Sequence, residues 1–302
     1  MIQTQELTRR FGNILAVDSL TIKVDEGEVF GFLGPNGAGK TTTVRLLTSL
    51  IAPSSGSAVV NGYRVGEEDM DIRRSVGILT ETPGLYDRLS AEQNLHIFAQ
   101  LYEVQDPARQ VEKYLRMLGL WERRQEPSAT LSKGMKQKLA IARTLLHEPR
   151  VLFLDEPTAA LDPEAAHLMR EFVAGLSKQG RTIFLCTHNL DEADRLCDRI
   201  AVFKTRLLVV DTPARLRSQL FGRKVVFHLR QAEQATADAL RTLPFVQDCT
   251  VVDNKLVVTL DAPETHNPEI VRFLVGLGAD VQFVGELRRS LEDVYLQLIK
   301  ES

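Results

Sequence analysis

The sequence predicts an α/β fold with a mostly parallel sheet, and three features carry that expectation. Residues 151–155, VLFLD, form a continuous apolar run of the kind that lies in a sheet covered on both faces. A helical pattern at 163–178, the run TIFLC at 182–186 and a further helical pattern near 190–197 follow it, so strand and helix alternate. A glycine-rich loop joins an apolar run at 28–33 to a helical pattern that begins at Lys40.

Ahead of that loop, residues 2–33 alternate apolar and polar over short stretches such as LTIKV and EVFGFLG. Gly12–Asn13 and Glu26–Gly27 are turn signals, so an antiparallel β subdomain is expected to feed the buried strand. In the helix from Lys40, Val44, Leu46, Leu47 and Leu50 share a face, and Pro53 stops it. Residues 90–120 hold two helical stretches divided at Asp106–Pro107, and a third runs from about Ser132 to His147, closed by Pro149. Together they make a helical subdomain over about 88–147.

Near residue 220 the character changes. LFGRK reads as a linker, followed by KVVFHLR, a helical pattern at 231–242, FVQDCTVV, the turn Asp253–Asn254, LVVTL, a helix at about 267–277 and DVQFV. That order, β-α-β-β-α-β, is the split βαβ arrangement of ferredoxin-like modules. A closing amphipathic helix at 290–300 carries Leu291, Val294, Tyr295, Leu298 and Ile299. Two domains are therefore expected, 1–218 and a small α+β accessory domain at 222–302, in keeping with a length of 302 residues.

Composition is that of a globular protein, 44% apolar and 25% charged, and a net charge of −3 supplies no basic field for nucleic acid. The three cysteines show neither metal spacing nor an even disulfide framework, and read as buried thiols in a reducing compartment. The start MIQTQELTRRFGN lacks the layout of a secretory signal, and no window approaches the ~18 apolar residues of a spanning helix. A cytoplasmic protein is expected, whose membrane role, if any, comes through a partner.

Residues Gly34, Pro35, Asn36, Gly37, Ala38, Gly39, Lys40, Thr41 and Thr42 match GxxxxGK[ST] in full, between a buried strand and a helix. The glycines let backbone N–H groups turn inward around a β-phosphate, and the helix N-terminus adds its positive dipole end. Lys40 is placed to bridge β- and γ-phosphates, and Thr41 to offer its hydroxyl to Mg²⁺. A P-loop alone fits a kinase, a GTPase or a motor. In VLFLDEP the strand delivers Asp155 and Glu156 to the sheet edge where ligands bind, Asp155 for the Mg²⁺ shell and Glu156 as general base for water. Ser132 would serve as the N-cap of the helix KQKLAIARTLL, and the same geometry makes an anion site. Of the six histidines, His188 alone ends a strand at the edge that carries Asp155.

These motifs, in this order, resemble the nucleotide-binding domain family of ABC transporters over about residues 1–215. Within it the chain is similar to ATPase subunits of bacterial drug- and antibiotic-resistance exporters with separate permeases, whose accessory domain ends much like LRRSLEDVYLQL. The resemblance implies a P-loop NTPase that binds ATP and Mg²⁺. It places Phe11 against adenine, Ser132 and Gly134 in the signature motif, Ala160, Leu161 and Asp162 in the D-loop, and His188 in the switch that contacts the γ-phosphate. Two positions depart from the family pattern. In the signature, Lys133 replaces a glycine and Met135 the glutamine; Glu81 stands where a glutamine usually meets Mg²⁺ or the water, and a carboxylate there either ligates the metal or repels the phosphates. The loop at 82–89 is where a permease coupling helix is expected to dock.

The resemblance also implies that the signature points away from its own nucleotide, so that ATP is sandwiched in a head-to-tail dimer with a second copy or a homologue. The expected partners are that subunit and an integral membrane permease that holds the chain on the cytoplasmic face of the membrane; direct contact with nucleic acid is not expected. The alternative is a soluble ABC-type ATPase acting on ribosomes or nucleic acid. Such a protein would normally carry two cassettes in one chain and a more basic linker, and neither is present. A DNA-repair ATPase would need a long coiled-coil insertion, for which residues 40–131 are too short and too mixed. A small-molecule kinase leaves the signature and His188 unexplained.

Overall fold

The computed structural model describes residues 1–80, 82, 84–159, 161–221, 223–287 and 290–300, with side chains given outside 219–221. The chain forms two compact units that part between Thr212 and Pro213.

The first unit begins with β1 (Ile2–Phe11), β2 (Ile14–Leu20), β3 (Lys23–Val24) and β4 (Val29–Leu33), then α1 (Lys40–Leu47). After these come β5 (Ser55–Val60), β6 (Tyr63–Arg64), α2 (Asp69–Ser75) and β7 (Val76–Leu79). The helical region holds α3 (Ala91–Leu101), α4 (Pro107–Met117) and α5 (Lys133–Leu145). It leads into β8 (Val151–Asp155), α6 (Pro163–Lys178), β9 (Thr182–Thr187), α7 (Leu190–Leu196), β10 (Arg199–Lys204) and β11 (Arg206–Asp211).

Strands β7, β8, β9, β4 and β10 lie side by side in parallel. Every residue of β4, β8 and β9 is buried, as expected of apolar runs without alternation. At their centre the Phe184 ring packs on Phe30, Phe32 and Phe153 at centroid distances of 5.7, 5.2 and 5.5 Å. Beyond β10 the sheet continues through β11, β2, β1, β5 and β6, antiparallel except where Arg206 meets Asp18. Helix α1 stops earlier than Pro53 requires: the Thr48 hydroxyl donates back to the Val44 carbonyl at 2.8 Å, and Ser49 takes a φ of 53° that turns the chain.

In the helical region one buried polar residue organises the chain before it. The Asn94 carboxamide accepts from the Tyr86 N–H at 2.8 Å, and its nitrogen donates to the carbonyls of Tyr86 and Ser90, both at 3.0 Å, and to the Ser128 hydroxyl at 2.9 Å. Arg143 of α5 donates to the Gly84 carbonyl at 2.9 Å, and Lys136 of α5 pairs with Asp87 at 3.2 Å, so α5 also fastens this loop. Truncating a buried hub strands its partners without water. Asn94→Ala is therefore expected to lower stability by roughly 2–4 kcal/mol, read from the urea midpoint of the full chain. An unchanged midpoint would refute the hub role.

The second unit comprises α8 (Pro213–Phe221), β12 (Lys224–Leu229), α9 (Gln234–Leu240), β13 (Val246–Val252), β14 (Lys255–Leu260), α10 (Pro263–Gly276), β15 (Val281–Glu286) and α11 (Leu291–Lys300). Its sheet is antiparallel in the order β13-β14-β12-β15. Val225, Phe227, Leu229, Leu256, Ile270 and Leu274 share a core of its own. The unit starts ahead of the expected boundary, because part of the stretch read as linker is helical: α8 runs through Phe221 and packs against α11. Helix α10 also starts earlier than 267, at Pro263, which suits a first helical position, and it carries Pro268 inside. Among the described residues no helix is long and apolar enough to cross a membrane.

Candidate nucleotide site

At two positions the loop between β4 and α1 passes so close to other backbone that only glycine fits. A Cβ on Gly34 would lie 2.2 Å from the Phe203 carbonyl oxygen, and one on Gly39 would lie 2.2 Å from that of Ala16. Gly37 and Gly39 also take φ values of 79° and 103°, which L side chains rarely adopt. The loop walls a cavity of about 250 Å³ with Ile14, Leu15 and Ala16 of β2, and with Asp155 and Glu156. Lys40 is buried, and its Nζ donates to the carbonyls of Gly34 at 2.7 Å and Pro35 at 3.2 Å. The Thr41 hydroxyl donates to Asp155 Oδ2 at 3.0 Å, joining the start of α1 to the end of β8.

The parallel register of β8 and β9 pairs Asp155 with Cys186, which sets Glu156 beside Thr187 and His188. Glu156 has a φ of 51°, a conformation costing about 1–3 kcal/mol for a non-glycine residue, and its N–H donates to the Cys186 carbonyl at 2.8 Å. His188 Nδ1 lies 2.8 Å from Glu156 Oε2, with the imidazole 65% exposed and the carboxylate largely buried. Cys186 behind them is fully buried, and burial pushes its thiol well up, so it stays neutral in the core. The structure thus brings together residues 35–42, Asp155, Glu156 and His188 at one sheet edge.

It does not bring the signature residues to that cavity. Ser132 is the N-cap of α5, accepting from the Met135 N–H at 3.3 Å, and Asp162 is the N-cap of α6, accepting from the Ala165 N–H at 2.8 Å. A Cβ on Gly134 would come within 3.8 Å of Ala165 Cβ, so the two helix starts are neighbours. Gly134, Leu161 and Ala165 border an apolar cleft of about 310 Å³ with Met117, Leu168 and Phe172 instead. Phe11 lies near the β1–β2 turn, 43% exposed, opposite Ile14, with the Arg9 guanidinium 4.4 Å from its ring centroid. Ile14, rather than Phe11, is among the residues bordering the cavity. Glu81 and Ala160 lie outside the described residues.

Four contributors have only weak signals in the sequence. Ile14 and Leu15, apolar beside a turn, line the cavity. Gln137, on the buried face of α5, donates from Nε2 to the Pro157 carbonyl at 3.1 Å and so ties the signature helix to the segment after Glu156. Glu192 is buried in α7 and accepts from the Thr187 hydroxyl at 2.8 Å. Burial pushes its carboxyl above the ordinary glutamate value, with the hydroxyls of Thr187 and Thr158 acting against the rise.

A family model described as ABC transporter matches residues 17–159. The chain is 33% identical to the bacitracin transport ATP-binding protein BcrA of Bacillus licheniformis, over 99% of this chain and 97% of that protein. It is 35% identical to the daunorubicin resistance ATP-binding protein DrrA3 of Streptomyces coeruleorubidus, over 96% and 93% of the two chains. A solved structure of an ATP-binding subunit of an ABC transporter superposes with a TM-score of 0.68 at 32% identity, covering 74% of this chain and 94% of that one. The ATP-binding cassette MJ0796, solved as a dimer in a post-hydrolysis state with ADP and Pi, shares the fold with a TM-score of 0.64 at 24% identity, covering 70% and 98%. With relatives matched along nearly their whole length and a phosphate loop facing an acidic strand end, the chain belongs to the ABC transporter family, as an ATP-binding subunit that hydrolyses ATP.

Proposed function

We propose that this chain is the motor of an exporter whose permease is a separate membrane polypeptide, and that it works as a head-to-tail dimer on the cytoplasmic face. The observation that carries the reading is the division of the site. Lys40, Thr41, Asp155 and Glu156 border one cavity, while Ser132, Gly134 and Asp162 sit at helix starts beside another. A half-site of this kind gains its missing donors when a second subunit presents them.

In this reading the triphosphate lies on residues 34–42, and adenine lies against the β1–β2 hairpin near Phe11. The Lys40 ammonium exchanges the carbonyls of Gly34 and Pro35 for phosphate oxygens, a stronger, charge-assisted contact. The Thr41 hydroxyl and the Asp155 carboxylate are hard oxygen donors 3.0 Å apart, which suits Mg²⁺. When bound, Mg²⁺ neutralises charge on the β- and γ-phosphates; Glu81 is a further candidate ligand. Glu156 takes the proton of the attacking water. His188 leaves Glu156 for the γ-phosphate, and Ser132 and Gly134 of the second subunit meet that phosphate from the other side. Asp162 reaches the nucleotide interface from the D-loop.

The loop at 82–89 receives the permease, and its fastening to α5 by Arg143 and Lys136 gives a route from permease to signature helix. In this reading the second unit, which begins with α8 at Pro213, is a ferredoxin-like module that serves as a dimer brace or a regulatory element, an assignment that its strand order supports. The names of the relatives, which speak of bacitracin transport and daunorubicin resistance, support an exporter and not a ribosomal ATPase.

A tagged chain extracted from its own membranes in mild detergent should carry an integral membrane protein with it; recovery with ribosomes instead would overturn the permease reading. Ser132→Arg should abolish the ATP-dependent dimer in light scattering, while a monomer still binds ATP within about threefold, since only the trans half is blocked. An equal loss of monomer binding would place Ser132 in the cis site.

A further inference from the structure

Behind the proposed general base stands a second, buried carboxylate that the mechanism above does not use. Glu192 is 1% exposed, and its Oε2 accepts from the Thr187 hydroxyl at 2.8 Å. Thr187 is itself fully buried at the end of β9, and its oxygen also accepts from the Asn189 N–H at 3.0 Å. The same hydroxyl lies 3.5 Å from Glu156 Oε2, at the outer limit of a hydrogen bond. A threonine hydroxyl has one proton to give, and two carboxylates face it.

The competition has a consequence at the catalytic carboxylate. Glu156 Oε2 is the oxygen that His188 Nδ1 meets at 2.8 Å. When His188 departs for the γ-phosphate, Oε2 loses that partner, and the Thr187 hydroxyl already stands 3.5 Å from it. A proton donated there would occupy a lone pair of the base and hold the side chain toward the sheet, away from water. With Glu192 in place the proton points the other way.

We infer that Glu192 is a positioning residue for hydrolysis: it commits the Thr187 hydroxyl to itself, so that the departure of His188 leaves Glu156 free for the attacking water. The inference rests on the reading of Glu156 as general base. A merely structural role for Glu192, as part of the α7 start where Asn189 Oδ1 accepts its N–H at 3.1 Å, predicts a different response to mutation.

The test is a double-mutant cycle on the full chain, with Mg-ATP turnover as the readout and Glu156→Gln as a reference. Glu192→Leu should lower kcat about tenfold at little change in KM, the effect of one misplaced hydrogen bond to a charged group. Adding Thr187→Val, which keeps shape but removes the competing proton, should return kcat to within about threefold of wild type. Glu192→Gln, which still accepts from Thr187, should stay within about threefold. If Glu192→Leu does not fold, Glu192→Asn, too short to reach Thr187, takes its place. A double variant no faster than the single overturns the inference. Full turnover in Glu156→Gln would instead overturn the general-base reading, so the two failures are distinguishable.

Discussion

Glu156→Gln is expected to reduce ATP turnover by about three orders of magnitude, within the range lost with a general base, and to accumulate an ATP-bound dimer. The substitution is nearly isosteric and leaves intact the backbone that the φ of 51° and the bond to Cys186 hold in place. What it removes is the ability to accept a proton from water. Lys40, Thr41 and the loop amides stay where they are, and of the groups assigned to the triphosphate only His188 loses a contact, its pairing with the Glu156 carboxylate. Removing a negative charge beside the γ-phosphate favours ATP in the site. Binding should therefore hold or tighten while hydrolysis stops, and the dimer that hydrolysis would open should persist. Phosphate release measured alongside light scattering separates these effects. Wild-type turnover would remove Glu156 from the mechanism. Loss of ATP affinity matching the loss of turnover would make it a binding residue.

Much of this site was legible in the sequence because its signals are local. Helix α6 occupies 163–178 as expected: Asp162 caps it, Pro163 presets the first turn, and Lys178 closes it before Gly180. Strand β8 follows VLFLD because a run with no polar face can only be buried on both sides. The missed parts depend on distant contacts. Gln137 becomes functional only when folding brings Pro157 over α5, and Asn94 only when Tyr86 and Ser128 surround it. Glu192 reads as an ordinary charged residue at a helix start until β9 sets Thr187 between it and Glu156. Helix α8 begins at Pro213, which suits a first helical position, whereas the glycine of LFGRK reads as a linker cue. Ser132 has a local signal as a helix cap, but its pairing with a second chain's nucleotide has none, since such a geometry would exist only between two chains. Resemblance to a family supplied that expectation, and the separation of Ser132, Gly134 and Asp162 from the phosphate loop is consistent with it.

Gly39→Ala is expected to cost more than 100-fold in ATP affinity, and Gly37→Ala less than about thirtyfold, although both glycines have positive φ. At Gly37, with φ 79°, a Cβ meets nothing within 4 Å, so alanine adds only the strain of a left-handed residue, about 1–2 kcal/mol. At Gly39, φ is 103° and the Cβ would stand 2.2 Å from the Ala16 carbonyl oxygen and 3.1 Å from the Phe203 ring. Neither neighbour can yield cheaply. Ala16 is in β2, and Phe203 is buried 4.8 Å from the Phe32 ring in the aromatic core. The loop must therefore move, and its N–H groups stop converging on a phosphate, a geometry that bound oxygens need to within a few tenths of an ångström. The damage should appear chiefly as lost binding, because the cavity is open and a displaced loop can be solvated. Titration with a fluorescent ATP analogue, paired with urea unfolding of each variant, reads the two effects apart. Equal losses at both positions would mean that backbone strain alone governs the loop. Wild-type affinity in Gly39→Ala would mean that the phosphate is held somewhere other than between β4 and α1.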